Sequence, residues 1–227
     1  MALQEVTART LPLWRATLTE MGFSGHETAL EAAHRAERRR PLGVLTAARA
    51  PIRRLPAPEI PWPERLLCCL VGDVEILNLH SPIAPAPDLA KIRTHEAVAA
   101  YLAGRSEGRR VLCGDLNTPR RELPDGDVMT FAFDSAGRLR PERGARWDRA
   151  ERALVHTLRA QHGWVDAFRS VKGYGEREAS WTFPHDRGGW RLDHALARGL
   201  EPQAAAYAHE WRRAGLSDHS ALVVDFA

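Results

Sequence analysis

Lysine is almost missing from this chain: only Lys91 and Lys172 occur in 227 residues, although lysine and arginine together number 32. Positive charge is therefore arginine, a skew that genome base composition alone can produce. Cysteine is scarce as well. Cys68, Cys69 and Cys113 all lie in apolar, strand-like runs, and their odd number and lack of metal-type spacing point to reduced core thiols rather than disulfides or a zinc site. No apolar run approaches the ~20 residues of a membrane-spanning helix. No basic segment followed by an apolar stretch marks a secretory leader. The expectation is a cytoplasmic protein, a monomer by default, with no membrane partner. Repeats and low-complexity tails are absent too, and the length suits one core, so a single domain over 1–227 is expected.

A formal net charge of +3 is compatible with a polyanionic partner without demanding one. The distribution says more. Arg35, Arg38, Arg39 and Arg40, then Arg49, Arg53 and Arg54, carry almost no interleaved acid and form a candidate phosphate-contacting edge. The series from Arg138 to Arg152 alternates with Glu142, Asp148 and Glu151 and reads as a solvated, salt-bridged face.

Leu11, Trp14, Leu18 and Met21 fall on one helical face, with Gly22 placed to end the helix. Residues 42–47 read as a strand and the proline-rich 51–63 as a connection. Leu66–Val71 and Val74–Leu79 form a hairpin around Gly72-Asp73. Ile92, His95, Val98 and Leu102 mark a second helix ending at Gly104, before strand Val111–Cys113. Residues 118–148 are polar and glycine-rich, a long functional loop. Ala150, Leu154 and Leu158 give a third helix closed at Gly163, and Trp164–Phe168, Leu192–Ala197 and Ala221–Phe226 are further strands. Helices alternating with strands and hairpins imply an α/β protein with a mixed sheet.

Five short blocks carry chemistry in order: Leu3-Gln4-Glu5, Asn78-Leu79-His80-Ser81-Pro82, Gly114-Asp115-Leu116-Asn117, Trp190-Arg191-Leu192-Asp193 and Ser217-Asp218-His219. Two of them place an acid with an amide or an imidazole at a strand end, where α/β proteins keep their sites. That is the equipment for metal-assisted attack of water on a phosphate ester. Singly each block is weak. Gly-Asp-x-Asn is often a turn, and a histidine beside an apolar strand is often a core residue. Asp193 inside an apolar strand needs a partner.

Taken together and in this order, the blocks resemble the endonuclease/exonuclease/phosphatase superfamily, over essentially the whole chain. The resemblance implies a two-sheet α/β sandwich with mixed sheets flanked by helices. It implies Mg²⁺ (or Mn²⁺) held by Glu5, with Asp218 completing that metal site or a second one. Asp115 would orient and deprotonate water, with Asn117 beside it holding water or phosphate. His219, paired with Asp193, would stabilise charge on the phosphate oxygens. His80, as imidazolium, would contact the phosphate or protonate the departing oxygen.

Ser180-Trp181-Thr182-Phe183 and Gly189-Trp190-Arg191-Leu192 resemble the abasic-site pocket of exonuclease III-type nucleases, which would give Trp181, Trp190 and Leu192, with Arg191 between them, substrate contacts. The competing reading is that Trp181 and Trp190 pack under the loop. His80 and His194 stand where that branch has tyrosine. Relatives begin with a strand ending in Trp-Asn, which the chain lacks before Leu3-Gln4-Glu5, so a first strand is expected to be missing. The expected activity is Mg²⁺-dependent hydrolysis of DNA. The alternatives are a phosphatase or phosphodiesterase on a small nucleotide, inositol or lipid headgroup, and, in another class, a non-catalytic binding module.

Overall fold

The computed structural model describes residues 1–33, 41–105, 107–184 and 187–227. Strand β1 (Ala2–Val6) leads into helix α1 (Leu11–Glu20), then β2 (Gly25–Thr28), β3 (Gly43–Ala48), β4 (Ile52–Leu55), β5 (Leu66–Val71) and β6 (Val74–Leu79). Helix α2 (Ala90–Ala103) connects to β7 (Arg109–Asp115). A small hairpin follows, β8 (Arg121–Glu122) and β9 (Val128–Met129), then helices α3 (Gly144–Arg152) and α4 (Leu158–Gln161) joined by a π-helical turn. The last part comprises β10 (Val165–Asp166), α5 (Ala167–Lys172), β11 (Trp181–Thr182), β12 (Gly189–Trp190), β13 (Asp193–Arg198), β14 (Pro202–Ala208), α6 (His209–Arg213) and β15 (Ala221–Phe226).

Six strands form one mixed sheet in the order β10-β13-β7-β6-β5-β4. Its one parallel pair, β6 with β7, is spanned by α2, as a parallel connection requires. Alternate residues of β5 serve opposite faces. Leu66 and Cys68 join Leu77, Leu79, Leu112, Val98 and Leu154 under the helices, while Leu67 and Cys69 pack on Val44 and Ala29. The second contact seats the three-stranded sheet β1-β3-β2 against the large one. Its β1 and the β15 of the two-stranded β14-β15 sheet each pair along one side among the described residues. The architecture is therefore mixed α/β with a six-stranded mixed sheet flanked by helices, as expected. No helix among the described residues is long and apolar enough to cross a membrane. The three cysteines are free, with Cys68 and Cys69 buried and Cys113 half-buried. Burial pushes the Cys68 and Cys69 thiols up to about 12 and Cys113 to about 11.

Several local expectations are corrected. The connection over 51–63 contains β4, and Trp164–Phe168 splits into β10 and α5. Asp166 caps α5 by accepting a hydrogen bond from the Arg169 amide, which turns the chain out of the sheet. Strand β14 leaves no sign in the sequence, because its alanine run, interrupted only by Tyr207, lacks the β-branched residues that mark strands. Of the α1 face only Leu18 is fully buried, whereas Trp14 and Met21 are exposed. Glu151 does not belong to a solvated face: it is fully buried and paired with Lys91. Arg35, Arg38, Arg39 and Arg40 lie outside the described residues.

Candidate active site

The site forms where β7 ends and β13 begins. These strands are antiparallel, and their register sets Asp115 directly across from Asp193. Opposed like charges destabilise a sheet unless a cation or a proton intervenes. The cation is His219, whose Nδ1 donates to Asp193 Oδ2 at 2.7 Å. The ligand-capable atoms of Asp115, Asp193 and His219 all lie within 4.8 Å of one another. Burial opposes charge on His219, but the hydrogen bond and charge of Asp193, with Asp115 and Asp218 beyond, outweigh it and lift the imidazole to about 9. At neutral pH it is an imidazolium. Asp115 moves the other way for a carboxylate: burial, then the Asp193 charge, push it up to about 7.

The turn after β7 is held tightly. Gly114 has φ +123°, and a Cβ there would stand 2.2 Å from the Leu79 carbonyl oxygen, so no side chain fits between β6 and β7 at this point. Asn117, with φ 52°, donates its backbone N–H to Asp115 Oδ1 at 2.8 Å and its amide to Asp115 Oδ2 at 3.0 Å and to the Ser81 carbonyl at 2.8 Å. Behind it Lys91, fully buried, donates to the Asn117 carbonyl at 2.6 Å and to Glu151. Glu151 also accepts from Thr118, the Phe131 amide and the Trp147 indole. Neither Lys91 nor Glu151 carried a functional reading in the sequence, since they lie 60 positions apart.

His80 Nε2 lies 3.8 Å from both a Glu5 oxygen and an Asp115 oxygen. It also lies 3.2 Å from an Arg65 guanidinium nitrogen, from which it accepts. Burial, then the charges of Arg65 and His219, hold it down to about 3, so His80 is neutral rather than the expected imidazolium. Glu5 sits at a bulge in β1 with φ 58° and a largely exposed carboxylate. Beside it Gln4 donates to the buried Asn78, which ties β1 to β6. Asp218 is exposed and acts on the site through its charge on His219.

The substrate-pocket residues divide. Trp181 and Trp190 stack face to face, centroids 5.1 Å apart at 13°, and Phe183 and Phe131 meet Trp190 edge-on. Both tryptophans are half-buried, and Trp181 bridges His219 by strand pairing. Leu192 is buried, with its amide on Ser180 Oγ. Arg191 is buried and bonded to both Glu122 and Asp166. Despite burial, its charge helps hold Glu122 down to about 2 and Asp166 well below the ordinary carboxylate range. Arg191 and Leu192 are mainly internal supports, a correction to the expected substrate contacts. Leu192 is buried, and Arg191 reaches the wall of a neighbouring cleft as a side chain already bonded to Glu122 and Asp166.

Three carboxylates, Asp115, Asp193 and Glu5, approach a site whose described cations nearest Asp115 are His219 and the buried Lys91, which leaves a place for further positive charge. The hard oxygen donors Asp115 and Glu5, both reaching toward His80, suit a hard divalent cation. His219, already bonded to Asp193, is less suited to act as a ligand.

An acid, an amide and an imidazolium gathered at strand ends are groups that metal-assisted attack on a phosphoester can use. The family model described as "Endonuclease/Exonuclease/phosphatase family" matches residues 1–219, and the chain belongs to that family. Its members are generally hydrolases of phosphoesters and usually use divalent metals. No curated protein matches by sequence. Among solved structures, the chain is similar to an AP endonuclease from Archaeoglobus fulgidus, with TM-score 0.71 and 19% identity over 99% of this chain and 87% of that one. It is also similar to the 3′ phosphatase NExo from Neisseria bound to a product DNA hairpin, with TM-score 0.64 and 18% identity over 100% and 88%. A 3′-5′ exonuclease (NExo) from Neisseria meningitidis matches with TM-score 0.61 and 20% identity over 99% and 88%. These likenesses show the fold.

Proposed function

We propose that the chain is a metal-dependent phosphodiester hydrolase acting on DNA, of the exonuclease III type. The observation that carries this reading is geometric: the buried Asp115 and the half-buried Asp193 and His219 offer ligand-capable atoms within 4.8 Å of one another, and burial with the Asp193 charge raises the proton affinity of Asp115. A raised proton affinity suits a carboxylate that takes a proton from water. Asp115 would take the proton of the attacking water, while the Asn117 amide, already bonded to it, keeps the carboxylate aimed. His219 would stand against the non-bridging oxygens and stabilise the charge that grows there. Asp193 keeps that imidazole charged and oriented through the 2.7 Å bond. Neutral His80 would accept from Arg65 through Nε2 instead of donating a proton. Glu5 and Asp115 would hold Mg²⁺ or Mn²⁺, with Asp218 as an outer candidate. When bound, the cation supplies Lewis-acid neutralisation of the phosphate. Trp181 and Trp190 would border the nucleic acid beside His219.

The test uses labelled duplexes with and without one abasic site, in Mg²⁺ and in EDTA. Metal-dependent incision confined to the abasic duplex supports the exonuclease III type. Equal cleavage of both supports a general nuclease. Failure to cleave either, with hydrolysis of a small phosphoester retained, would refute DNA as the substrate.

A further inference from the structure

Beyond the β11–β12 hairpin lies a cleft of about 1100 Å³, larger than the ~300–1,000 Å³ typical of small-molecule sites, that contains none of Asp115, Asp193 or His219. Its charge is lopsided. Arg121, Arg177 and Arg213 line it, are exposed, and have no acidic or hydrogen-bonding side-chain partner among the described residues. The acids of the same wall are largely spoken for: Glu122 binds Arg169 and Arg191, and Glu178 lies 3.2 Å from His209. Only Glu176 faces the cleft without a counter-charge among the described residues. Aromatic surface borders these arginines, from Phe183, which is 37% exposed, and Trp190. Trp190 stacks on Trp181, which pairs with His219, and Pro119 of the cleft lies two residues past Asn117.

We infer that this cleft binds a single-stranded nucleic-acid segment continuous with the phosphodiester at the Asp115–His219 site. The inference rests on the hydrolase reading above for what happens at that phosphodiester, but the binding it describes needs no turnover. Unpartnered arginines meet backbone phosphates, and Phe183 offers a face or edge to an unpaired base. That combination of basic groove and aromatic surface is what single strands use. A duplex hides its base faces and gains nothing from Phe183. The cleft's size also fits more than one nucleotide unit better than one small ligand.

The experiment is fluorescence anisotropy of a labelled oligothymidylate of about ten nucleotides, in EDTA, across a salt series, with thermal unfolding run on each variant. The triple variant Arg121→Gln, Arg177→Gln and Arg213→Gln removes no internal bond of the fold. It should flatten the dependence of log affinity on log salt by about 2, at ~0.7 per lost phosphate contact, and weaken binding on the order of a hundredfold at ~50 mM salt. Phe183→Ala should weaken binding about tenfold and leave the salt slope unchanged. The comparison variant Arg15→Gln, Arg105→Gln and Arg109→Gln removes equal charge outside the cleft, on α1 and at the end of β7 away from Asp115, and should leave the slope nearly intact. Equal losses in both triples, or an unchanged slope in the cleft triple, would overturn the proposal. So would a duplex bound as tightly as the single strand and weakened alike by the cleft triple. A protein that binds as described in EDTA yet never cleaves in Mg²⁺ would sink the hydrolase reading and leave the cleft standing.

Discussion

Replacing Asp193 by asparagine keeps the side chain's size and removes the charge that His219 reads. The imidazole rises from an ordinary 6.5 to about 9 in the folded protein, mainly against burial and because of Asp193. At ~1.4 kcal/mol for each tenfold change in proton affinity, that rise corresponds to ~3 kcal/mol of folding stability. Since the folded value is the higher one, this stability is complete below pH 6.5 and disappears as pH climbs through about 9. Asp115, raised to about 7 from 3.8, sheds its own contribution between those values. The Met1 ammonium, lowered by burial from 8.0, gains its contribution as pH rises through the window in native protein and variant alike, so the difference between the two proteins from pH 7 to 9 isolates the dyad. The thiols raised to about 11 and 12 lose their contribution only above the ordinary cysteine value of 9. Two assays follow, both in EDTA. NMR titration of the histidine ring protons should find His219 near 9 in the native protein and at or below its ordinary range in Asp193→Asn, where burial acts with less opposition. Urea unfolding should find the stability difference between native protein and variant falling by most of ~3 kcal/mol from about pH 7 to 9. A native His219 that titrates below about 7, or that titrates unchanged in Asp193→Asn, refutes the dyad as the source of the imidazolium.

Asp115→Asn should lower turnover by ~10²–10⁴ under the general-base role, yet make the fold more resistant to urea above about pH 7, since it removes one of two opposed carboxylates. A rate within a few-fold of native would eliminate that role. Glu5→Gln should raise the Mg²⁺ needed for half-maximal activity by about tenfold or more, with little change in urea midpoint because the side chain is exposed; an unaltered Mg²⁺ titration would exclude it as a ligand. Lys91→Met strands the buried Glu151 carboxylate and should lower stability by ~3–5 kcal/mol in urea unfolding. Adding Glu151→Gln should recover part of that loss, and a single variant as stable as native would contradict the pairing.

What could be read from the chain was what its neighbours in sequence determine. Gly114-Asp115-Leu116-Asn117 is a turn with local hydrogen bonds between Asn117 and Asp115, which four adjacent residues announce, while Ser81 and Lys91, which also hold it, give no local sign. The β5–β6 hairpin and α2 were legible for the same reason, through a tight turn and a 3.6-residue period. The Asp193–His219 pair spans 26 positions, and only the resemblance joined the two residues. Where the error lay, a charge was visible but its partner was not. Arg191 read as a substrate contact because Glu122, 69 positions earlier, gave no sign of meeting it. Glu151 read as surface because Lys91 stood 60 positions away. His80 reads as a cation in the sequence because nothing local announces the Arg65 guanidinium beside its ring nitrogen.

The backbone itself argues for where the chemistry lies. Only four non-glycine residues among those described have positive φ, and two of them, Glu5 and Asn117, belong to this site; Gly114 stands beside it at φ +123°. Such conformations cost about 1–3 kcal/mol each and persist when surrounding contacts over-determine them. At Asn117 the opposing contacts are explicit: two bonds to Asp115, one to the Ser81 carbonyl, and Lys91 on its own carbonyl. At Glu5 the bulge in β1 turns the carboxylate toward His80 and Asp115 instead of leaving it along the sheet. Lys91 and Glu151 therefore act on the site through position: they fix the turn that fixes Asp115. A packing role alone would be met equally well by two apolar side chains, whereas holding the Asn117 carbonyl requires a donor at the Lys91 position.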